Sequence, residues 1–123
     1  MKTIETANAP GAIGPYSQAI CLEDLVFTSG QIPIDPKTGA IEAVGIEAQT
    51  EQVMKNLKAV LEAAGSDLTK AVKTTCFLQN IGDFAAFNAV YARYFIEKPA
   101  RSCVEVASLP KGALVEVEVI AEL

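Results

Sequence analysis

Apolar residues recur along this chain with two different periods, which predict helices in some segments and strands in others. From Glu47 to Ala64 they recur every three or four residues, which is typical of an amphipathic helix, and Gly65 would end that helix. Asp83 could cap a second helix that stops before Pro99. The stripe of this second helix is aromatic and contains one amide: Phe84, Phe87, Asn88, Tyr91, Tyr94 and Phe95.

Shorter apolar segments predict β-strands. Their ranges are residues 19–22, 25–32, 71–78, 99–106 and 114–119, and a further strand at Lys2 to Glu5 would give about six. Glu23-Asp24 fits a tight hairpin turn, and the prolines and glycine between residues 33 and 39 mark an irregular connection. This order of elements predicts an α+β fold, in which two helices pack on one face of a mixed sheet. The other face, still partly apolar, is then expected to contact other subunits.

The last two strands are expected to form a hairpin through a Pro-Lys-Gly turn and to carry the candidate chemistry. Alternation along a strand would point Val104 and Val106 into the core, together with the valines of the last strand. Arg101, Cys103 and Glu116 would then share the opposite face. A cation and a carboxylate held on neighbouring strands of a rigid sheet can bind a small anionic substrate and act on it.

Composition limits the classes of function. The 123 residues contain no linker-like segment, so one domain spanning residues 1–123 is expected. The net charge of −5 and the lack of a basic stripe argue against nucleic acid or an anionic membrane as a partner. The chain has no histidine, which excludes a Ser-His-Asp triad, a Cys-His pair and a His-ligated metal. Cys21 and Cys76 lie in apolar strands and are expected in the core.

Targeting signals and cofactor motifs are also missing from the sequence. No segment approaches the roughly 20 unbroken apolar residues of a membrane span, and the first residues lack the apolar core of a signal peptide, so a cytoplasmic protein is expected. Neither a dinucleotide-binding glycine motif nor a P-loop occurs, and no metal-ligand spacing is present. We therefore expect a site that needs no cofactor and no metal.

Several longer motifs together resemble one known family. They are Ala12-Ile13-Gly14-Pro15-Tyr16-Ser17-Gln18-Ala19, Phe27-Thr28-Ser29-Gly30-Gln31-Ile32-Pro33, Val72-Lys73-Thr74-Thr75, Asp83-Phe84 with Asn88, and Pro99-Ala100-Arg101-Ser102-Cys103-Val104-Glu105-Val106 followed by Glu116. Over nearly its whole length the chain resembles the Rid family of reactive intermediate deaminases, also called YjgF-type proteins, and is similar to its RidA-like branch. The resemblance implies a chorismate-mutase-like fold and a homotrimer with active sites between subunits. It also implies hydrolysis of 2-imino acids or their enamines, such as 2-aminoacrylate, 2-iminopropanoate and 2-iminobutanoate, to 2-oxo acids and ammonia.

The resemblance assigns the two candidate catalytic residues. Arg101 would bind the substrate carboxylate, and a planar guanidinium can do so through two parallel charge-assisted hydrogen bonds. A structural ion pair with Glu105 or Glu118 is the alternative for this arginine. Glu116 corresponds to the family acid that positions or activates the attacking water. Since Glu116 and Glu118 have the same parity on the strand, spacing does not separate them, and only the resemblance selects Glu116.

Four further residues are candidates for substrate binding: Tyr16, Gly30, Asn88 and Cys103. The resemblance implies that Tyr16 is a pocket wall or hydrogen-bond donor, and that the backbone amide of Cys103 meets the substrate. The Cys103 thiol is a poor candidate nucleophile because no histidine can help it to ionise. Gly30 would let the backbone approach a ligand, although it could instead mark a β-bulge. Asn88 resembles a pocket asparagine, but hydrogen bonds between helix and loop would explain it as well.

Two other functions remain open at this point. A non-catalytic 2-oxo acid binding or regulatory protein would need the same Arg101 pocket but not Glu116. The endoribonuclease or translation-inhibitor activity ascribed to some family members is disfavoured by the acidic charge and the missing histidine. The connection Ile96-Glu97-Lys98 is shorter than in many RidA-like relatives, which leaves the shape of the cleft rim and the preferred substrate size open.

Overall fold

A computed structural model describes all 123 residues and contains one six-stranded mixed sheet with two helices on one face. The strands are β1 (Lys2–Ile4), β2 (Ala19–Leu22), β3 (Leu25–Thr28), β4 (Ala71–Leu78), β5 (Ala100–Glu105) and β6 (Val115–Glu122), and the helices are α1 (Ile46–Ala63) and α2 (Phe84–Tyr94). The spatial order of the strands is β1-β2-β3-β6-β4-β5, and only β4 and β5 are parallel. The predicted α+β architecture is confirmed.

The core lies between the helices and one face of the sheet, called the helix face below. The apolar stripe of α1 is fully buried and includes Leu57 and Leu61, which pack in one cluster with Val115 and Val117 of β6. Truncating such a leucine to alanine costs about 2–5 kcal/mol, so this packing is a major source of stability. Gly65 follows the end of α1 with φ of +84°, a conformation that glycine adopts at little cost. Neither helix combines the length and the hydrophobicity that a membrane span requires.

The second helix begins where the sequence predicted, but its predicted cap is wrong. The side chain of Asp83 makes no capping hydrogen bond. The Asn80 side chain instead accepts the N–H of Gly82 at 2.8 Å and stabilises the turn before the helix. At the other end of α2, Arg93 and Tyr94 both donate to the carboxylate of Glu51 on α1. These contacts fix the position of α2 on α1.

The predicted hairpin between the last two strands is also wrong. β6 lies between β3 and β4, so β4 separates β6 from β5. A helix between two strands favours parallel pairing through a crossover, and α2 provides that crossover from β4 to β5. β5 is therefore placed at the outer edge, and the valine-rich β6 takes an interior position in the sheet.

The strand register also shows that Arg101, Cys103 and Glu116 do not share one face of the sheet, so this prediction is wrong as well. Thr74 is opposite both Arg101 and Val119, and opposed residues point to the same side of a sheet. Arg101 therefore lies on the helix face with the core valines, and Cys103 follows it two residues later. Glu116 lies on the other face.

The uncovered face, called the open face below, carries Glu116 in a row with apolar side chains. Phe77 is opposite both Glu116 and Val104. Val104 is 46% exposed, contrary to the prediction that it enters the core, and Val106 is only partly buried. The helices cover the edge strand β5 only in part, so burial does not decide which side of this strand faces them. The apolar side of β5 faces outward, and its polar side faces α2. Phe27, also on the open face, is 38% exposed.

Candidate active site

Arg101 is held by one amide and two aromatic rings. Its Nη1 donates to Oδ1 of Asn88 at 2.8 Å. Its guanidinium carbon lies 4.7 Å from the ring centroid of Tyr91 and 5.5 Å from that of Phe84. These contacts orient the guanidinium and leave its other N–H groups available for a ligand.

No carboxylate pairs with Arg101, so the alternative of a structural ion pair is wrong. The two ion pairs of the chain are Lys58 with Glu62 and Arg93 with Glu51. Glu105 instead accepts the backbone N–H of Ile81 at 2.9 Å. A guanidinium without an anionic partner, next to a pocket, is a natural site for a carboxylate or another anion.

The aromatic partners of Arg101 were not recognised as site residues from the sequence. The aromatic stripe predicted for the second helix includes both Phe84 and Tyr91; Tyr91 is buried, whereas Phe84 is 38% exposed. The missed signal was the strand-helix-strand order of β4, α2 and β5, which predicts a parallel pair with the helix packed against it. Such a helix contacts the side chains of β5 directly.

A pocket of about 350 Å³ opens beside Arg101, and Asn88 and Tyr91 form part of its wall. Ile96 and Lys98, from the short connection after α2, form another part of it. The short Ile96-Glu97-Lys98 connection therefore helps to shape the pocket next to the Arg101 guanidinium.

Cys103 presents its backbone amide at the free edge of the sheet. The N–H of Val106 donates to the carbonyl of Leu78 at 2.9 Å, and alternate residues of a parallel strand bond to the same neighbour. The N–H of Cys103 therefore points away from β4. Burial raises the pKa of the Cys103 thiol, and the nearby Arg101 offsets this only in part. Cys103 is thus better suited to donate its N–H than to act as a thiolate.

The other two thiols are buried, as the sequence predicted. Cys21 and Cys76 both lie in the core cluster. Burial raises the pKa of Cys76 to about 12, which keeps this thiol protonated.

Glu116 lies in a separate pocket of about 570 Å³ on the open face. Its carboxylate takes part in none of the side-chain hydrogen bonds and neither of the two ion pairs of the chain. Burial and then the neighbouring charge of Glu118 raise its pKa above the ordinary value for glutamate. A carboxyl group with a raised pKa can exchange protons with a ligand or water at a pH closer to neutral.

Gly30 makes room for this carboxylate. A Cβ added at Gly30 would lie 2.8 Å from Cδ of Glu116 and would overlap its carboxylate oxygen. The backbone N–H of Gly30 donates no hydrogen bond within the chain, so it is available to a ligand. The pairing of Phe27 with Ile120 is followed by that of Gln31 with Val117, which leaves an excess of residues on the β3 side. Gly30 therefore lies in a bulge, which was one of the two alternatives, and it also leaves room for the Glu116 side chain; its approach to a ligand stays a prediction.

Tyr16 lines the same pocket and is 49% exposed. Its loop is tied to the end of β3, because Ser29 donates from its hydroxyl to the carbonyl of Ser17 at 2.6 Å. The buried Gln18 side chain also binds Thr6 and Pro10, which holds the preceding segment in place. The sheet therefore supports the loop that carries the phenol.

The six candidate site residues form two groups in one chain. Arg101, Asn88 and Cys103 make up the first group, at the helix-face edge of β5. The second group, on the open face, consists of Tyr16, Gly30 and Glu116. Because β4 lies between the strands that carry Arg101 and Glu116, and the two side chains point to opposite faces, one small molecule cannot contact both within a single chain.

Comparison with known proteins agrees with the fold and the motifs. The family model described as Endoribonuclease L-PSP matches residues 6–123. A 2-iminobutanoate/2-iminopropanoate deaminase from Salmonella typhimurium is 54% identical over 124 residues, which cover 98% of this chain and 96% of that protein.

Solved structures give the same family. The crystal structure of YyfA from Yersinia pestis, a protein of the conserved Rid family, is similar with a TM-score of 0.96 and 56% identity, covering 99% of this chain and 98% of that one. The crystal structure of Escherichia coli TdcF with bound serine has a TM-score of 0.95 and 46% identity, covering 100% of this chain and 99% of that one. This chain therefore belongs to the Endoribonuclease L-PSP family, which is the family of the Rid (YjgF) proteins.

Proposed function

We propose that this protein is a hydrolytic deaminase that converts small 2-imino acids into 2-oxo acids and ammonia. The observation that carries the proposal is the unpaired guanidinium of Arg101, oriented by Asn88 and two rings beside a pocket. Every 2-imino acid has a carboxylate that this group can bind. The deaminase name of the Salmonella relative and the serine bound to TdcF support an amino-acid-like ligand.

The active site is proposed to form between neighbouring subunits of a homotrimer. A substrate bound to Arg101 needs an acid or base, and Glu116 of the same chain is on the wrong face of the sheet. Glu116 of a neighbouring copy could supply it. Exposed apolar side chains on the open face, among them Phe27 and Val104, support burial of this face between copies.

The chemistry requires one water molecule and no oxidant or reductant. Arg101 and the Cys103 amide would hold the carboxylate, while Glu116 of the neighbouring chain accepts a proton from water as the water oxygen bonds to C2 of the protonated imine. The resulting carbinolamine takes a proton on nitrogen. Glu116 then takes the proton of the carbinolamine hydroxyl as the C=O bond forms and the C–N bond breaks, and the departing ammonia accepts this proton and leaves as ammonium. An enamine such as 2-aminoacrylate enters this route after protonation at C3.

The raised pKa of Glu116 suits both halves of this reaction. Its carboxylate can take the proton from water, and the acid so formed can return the proton to the leaving nitrogen. The Gly30 N–H and the Tyr16 phenol border the same pocket and could bind the carbinolamine oxygen. No step calls for a cofactor or a metal.

Imine trapping during turnover of a threonine or serine dehydratase tests the proposal. Semicarbazide competes with the protein for 2-iminobutanoate or 2-iminopropanoate, and trapped product is read by absorbance. The wild type should reduce semicarbazone formation, whereas Arg101→Ala and Glu116→Gln should lose most of this effect at equal protein concentration. A catalytic acid or base typically contributes about 10²–10⁴-fold, so the loss should be large.

Two matched variants control for charge and fold. Arg93→Ala removes the other arginine, which pairs with Glu51 on α1, and Glu122→Gln removes an acid from the far end of β6. Both should retain wild-type trapping. The deaminase proposal fails if the wild type does not compete with semicarbazide, or if the control variants lose activity as fully as Arg101→Ala.

A second candidate, non-catalytic binding of 2-oxo acids, is favoured by one observation. The group around Arg101 and its pocket is complete within one chain and does not include Glu116. Binding of 2-oxobutanoate that depends on Arg101, without any faster imine hydrolysis, would select this candidate. RNA cleavage, the activity in the family model's description, is not proposed, because the chain has a net charge of −5 and no histidine.

A further inference from the structure

The ring beneath Arg101 is itself held by a buried pair of hydroxyl groups. Tyr91 lies under the guanidinium, and its hydroxyl is 2.7 Å from Oγ1 of Thr74. Tyr91 is buried and Thr74 is fully buried. Thr74 is also the residue of β4 that lies directly opposite Arg101 on β5. The tip of the ring is therefore bound to the strand that neighbours the arginine.

Packing alone does not require these hydroxyl groups. The ring of Tyr91 contacts Phe87 and Phe95, with centroid distances of 5.5 Å and 4.6 Å, and phenylalanine would serve as well in that row. A buried hydroxyl is unfavourable unless it finds a hydrogen-bond partner, so a tyrosine facing a threonine is a specific arrangement. It occurs beneath the one arginine of this chain that has no carboxylate partner.

We infer that Tyr91 is a positioning residue for Arg101 and that Thr74 sets the tilt of its ring. This inference rests on the proposed function, since it concerns how the guanidinium meets the substrate carboxylate. Asn88 fixes Nη1, and the rings of Tyr91 and Phe84 limit rotation of the guanidinium plane. A guanidinium that is already oriented loses less rotamer entropy when a ligand binds, which improves affinity without a new contact to the ligand.

The test measures binding of 2-oxobutanoate by NMR titration, together with imine trapping on the same proteins. Tyr91→Phe and Thr74→Val each remove one hydroxyl of the pair. Each should raise the Kd for 2-oxobutanoate and the KM for the imine by roughly fivefold, the usual cost of ordering one flexible side chain on binding, with little change in kcat. The double variant should bind no more weakly than the weaker single variant, because both substitutions break the same bond. Thr74→Ser keeps the hydroxyl and should restore binding.

A core variant separates positioning from stability. Val53→Ala, in the buried stripe of α1, should lower Tm and leave the Kd unchanged at temperatures below unfolding. The inference is overturned if Tyr91→Phe binds 2-oxobutanoate as the wild type does, if the two effects add, or if the wild type does not bind this ligand at all. Failure of the deaminase proposal has a different signature: the wild type binds 2-oxobutanoate but does not accelerate imine hydrolysis. The Kd values then still decide the role of Tyr91.

Discussion

Replacing Gly30 by alanine should displace the proposed catalytic carboxylate while leaving the fold intact. The new Cβ would lie 2.8 Å from Cδ and 3.1 Å from Cγ of Glu116. Carbon atoms in ordinary contact are about 3.5–4.0 Å apart, so the carboxyl group must move by roughly 1 Å. A misplacement of about 1 Å can cost a catalytic group roughly 100-fold. We therefore expect kcat/KM for imine hydrolysis to fall by about that factor in Gly30→Ala.

Stability should change little in the same variant. The obstructing atoms belong to the end of a flexible side chain, and moving Glu116 off its preferred rotamer costs about 0.5–1.5 kcal/mol. Gly30 does not have a positive φ, so alanine is tolerated there and gains about 0.4–1 kcal/mol from the smaller entropy of the unfolded chain. These two effects nearly cancel, and Tm should stay within about 4 °C of the wild type.

The assay combines imine trapping with a thermal melt. Gly11→Ala is the matched control, because Gly11 lines the same pocket and an added Cβ there meets nothing within 4 Å. Gly30→Ala combined with Glu116→Ala should be no slower than Glu116→Ala alone, since no carboxylate remains to be displaced. Wild-type kcat/KM in Gly30→Ala, or a further loss in the double variant, would refute the reasoning.

Three further predictions follow from the site and its supports. If Glu116 must be ionised to accept a proton, kcat/KM should fall as the pH drops through the raised pKa of this carboxyl group. Glu118→Gln removes the neighbouring negative charge, so this fall in kcat/KM should move to lower pH. A fall at the same or a higher pH would contradict the role of Glu116 as the proton acceptor. Cys103→Ala keeps the backbone amide and should retain most trapping activity, and complete loss would instead indicate a role for the thiol. Hydrogen bonds from Tyr94 and then Arg93 lower the pKa of Glu51. The contribution of Glu51 to stability is therefore present above its unfolded-state pKa and is lost as the pH falls through its folded-state pKa, so Glu51→Gln should lower Tm slightly near neutral pH but not in acid. An equal loss of Tm at both pH values would count against a stabilising role of this ion pair.

The sequence was most informative where one periodicity dominated a long segment. The stripe of α1 and the alternating valines of β6 predicted their burial correctly, because each packs against the centre of the core. The failures concern β5, a short strand at the edge of the sheet. There, Val104 faces outward and Arg101 faces α2: the side chains still alternate, but partial cover by one helix does not require the covered side to be the apolar one.

The sequence predicted candidate site residues but not their arrangement. Motif resemblance singled out Arg101 and Glu116 as candidates, yet proximity in sequence suggested adjacent strands, whereas β4 lies between β6 and β5 and separates the two residues. Long-range strand order depends on which pairing buries the most apolar surface, and short motifs carry little of that information. The contacts of Arg101 with Phe84 and Tyr91 depend on the same topology.

Mixing two inactive variants tests most directly whether the site is shared between subunits. Arg101→Ala and Glu116→Gln chains are unfolded together, refolded as a mixture and assayed by imine trapping. In the proposed homotrimer, a site of a mixed assembly would be intact when a Glu116→Gln chain supplies Arg101 and an Arg101→Ala chain supplies Glu116. With random assembly of equal amounts, about one quarter of the sites meet this condition.

The shared-site account therefore predicts that the mixture regains about one quarter of wild-type activity, while each variant refolded alone stays inactive. If both residues acted within one chain, every site in the mixture would still lack one of them. A mixture as inactive as its components, with mixed oligomers demonstrated by mass spectrometry, would contradict the account.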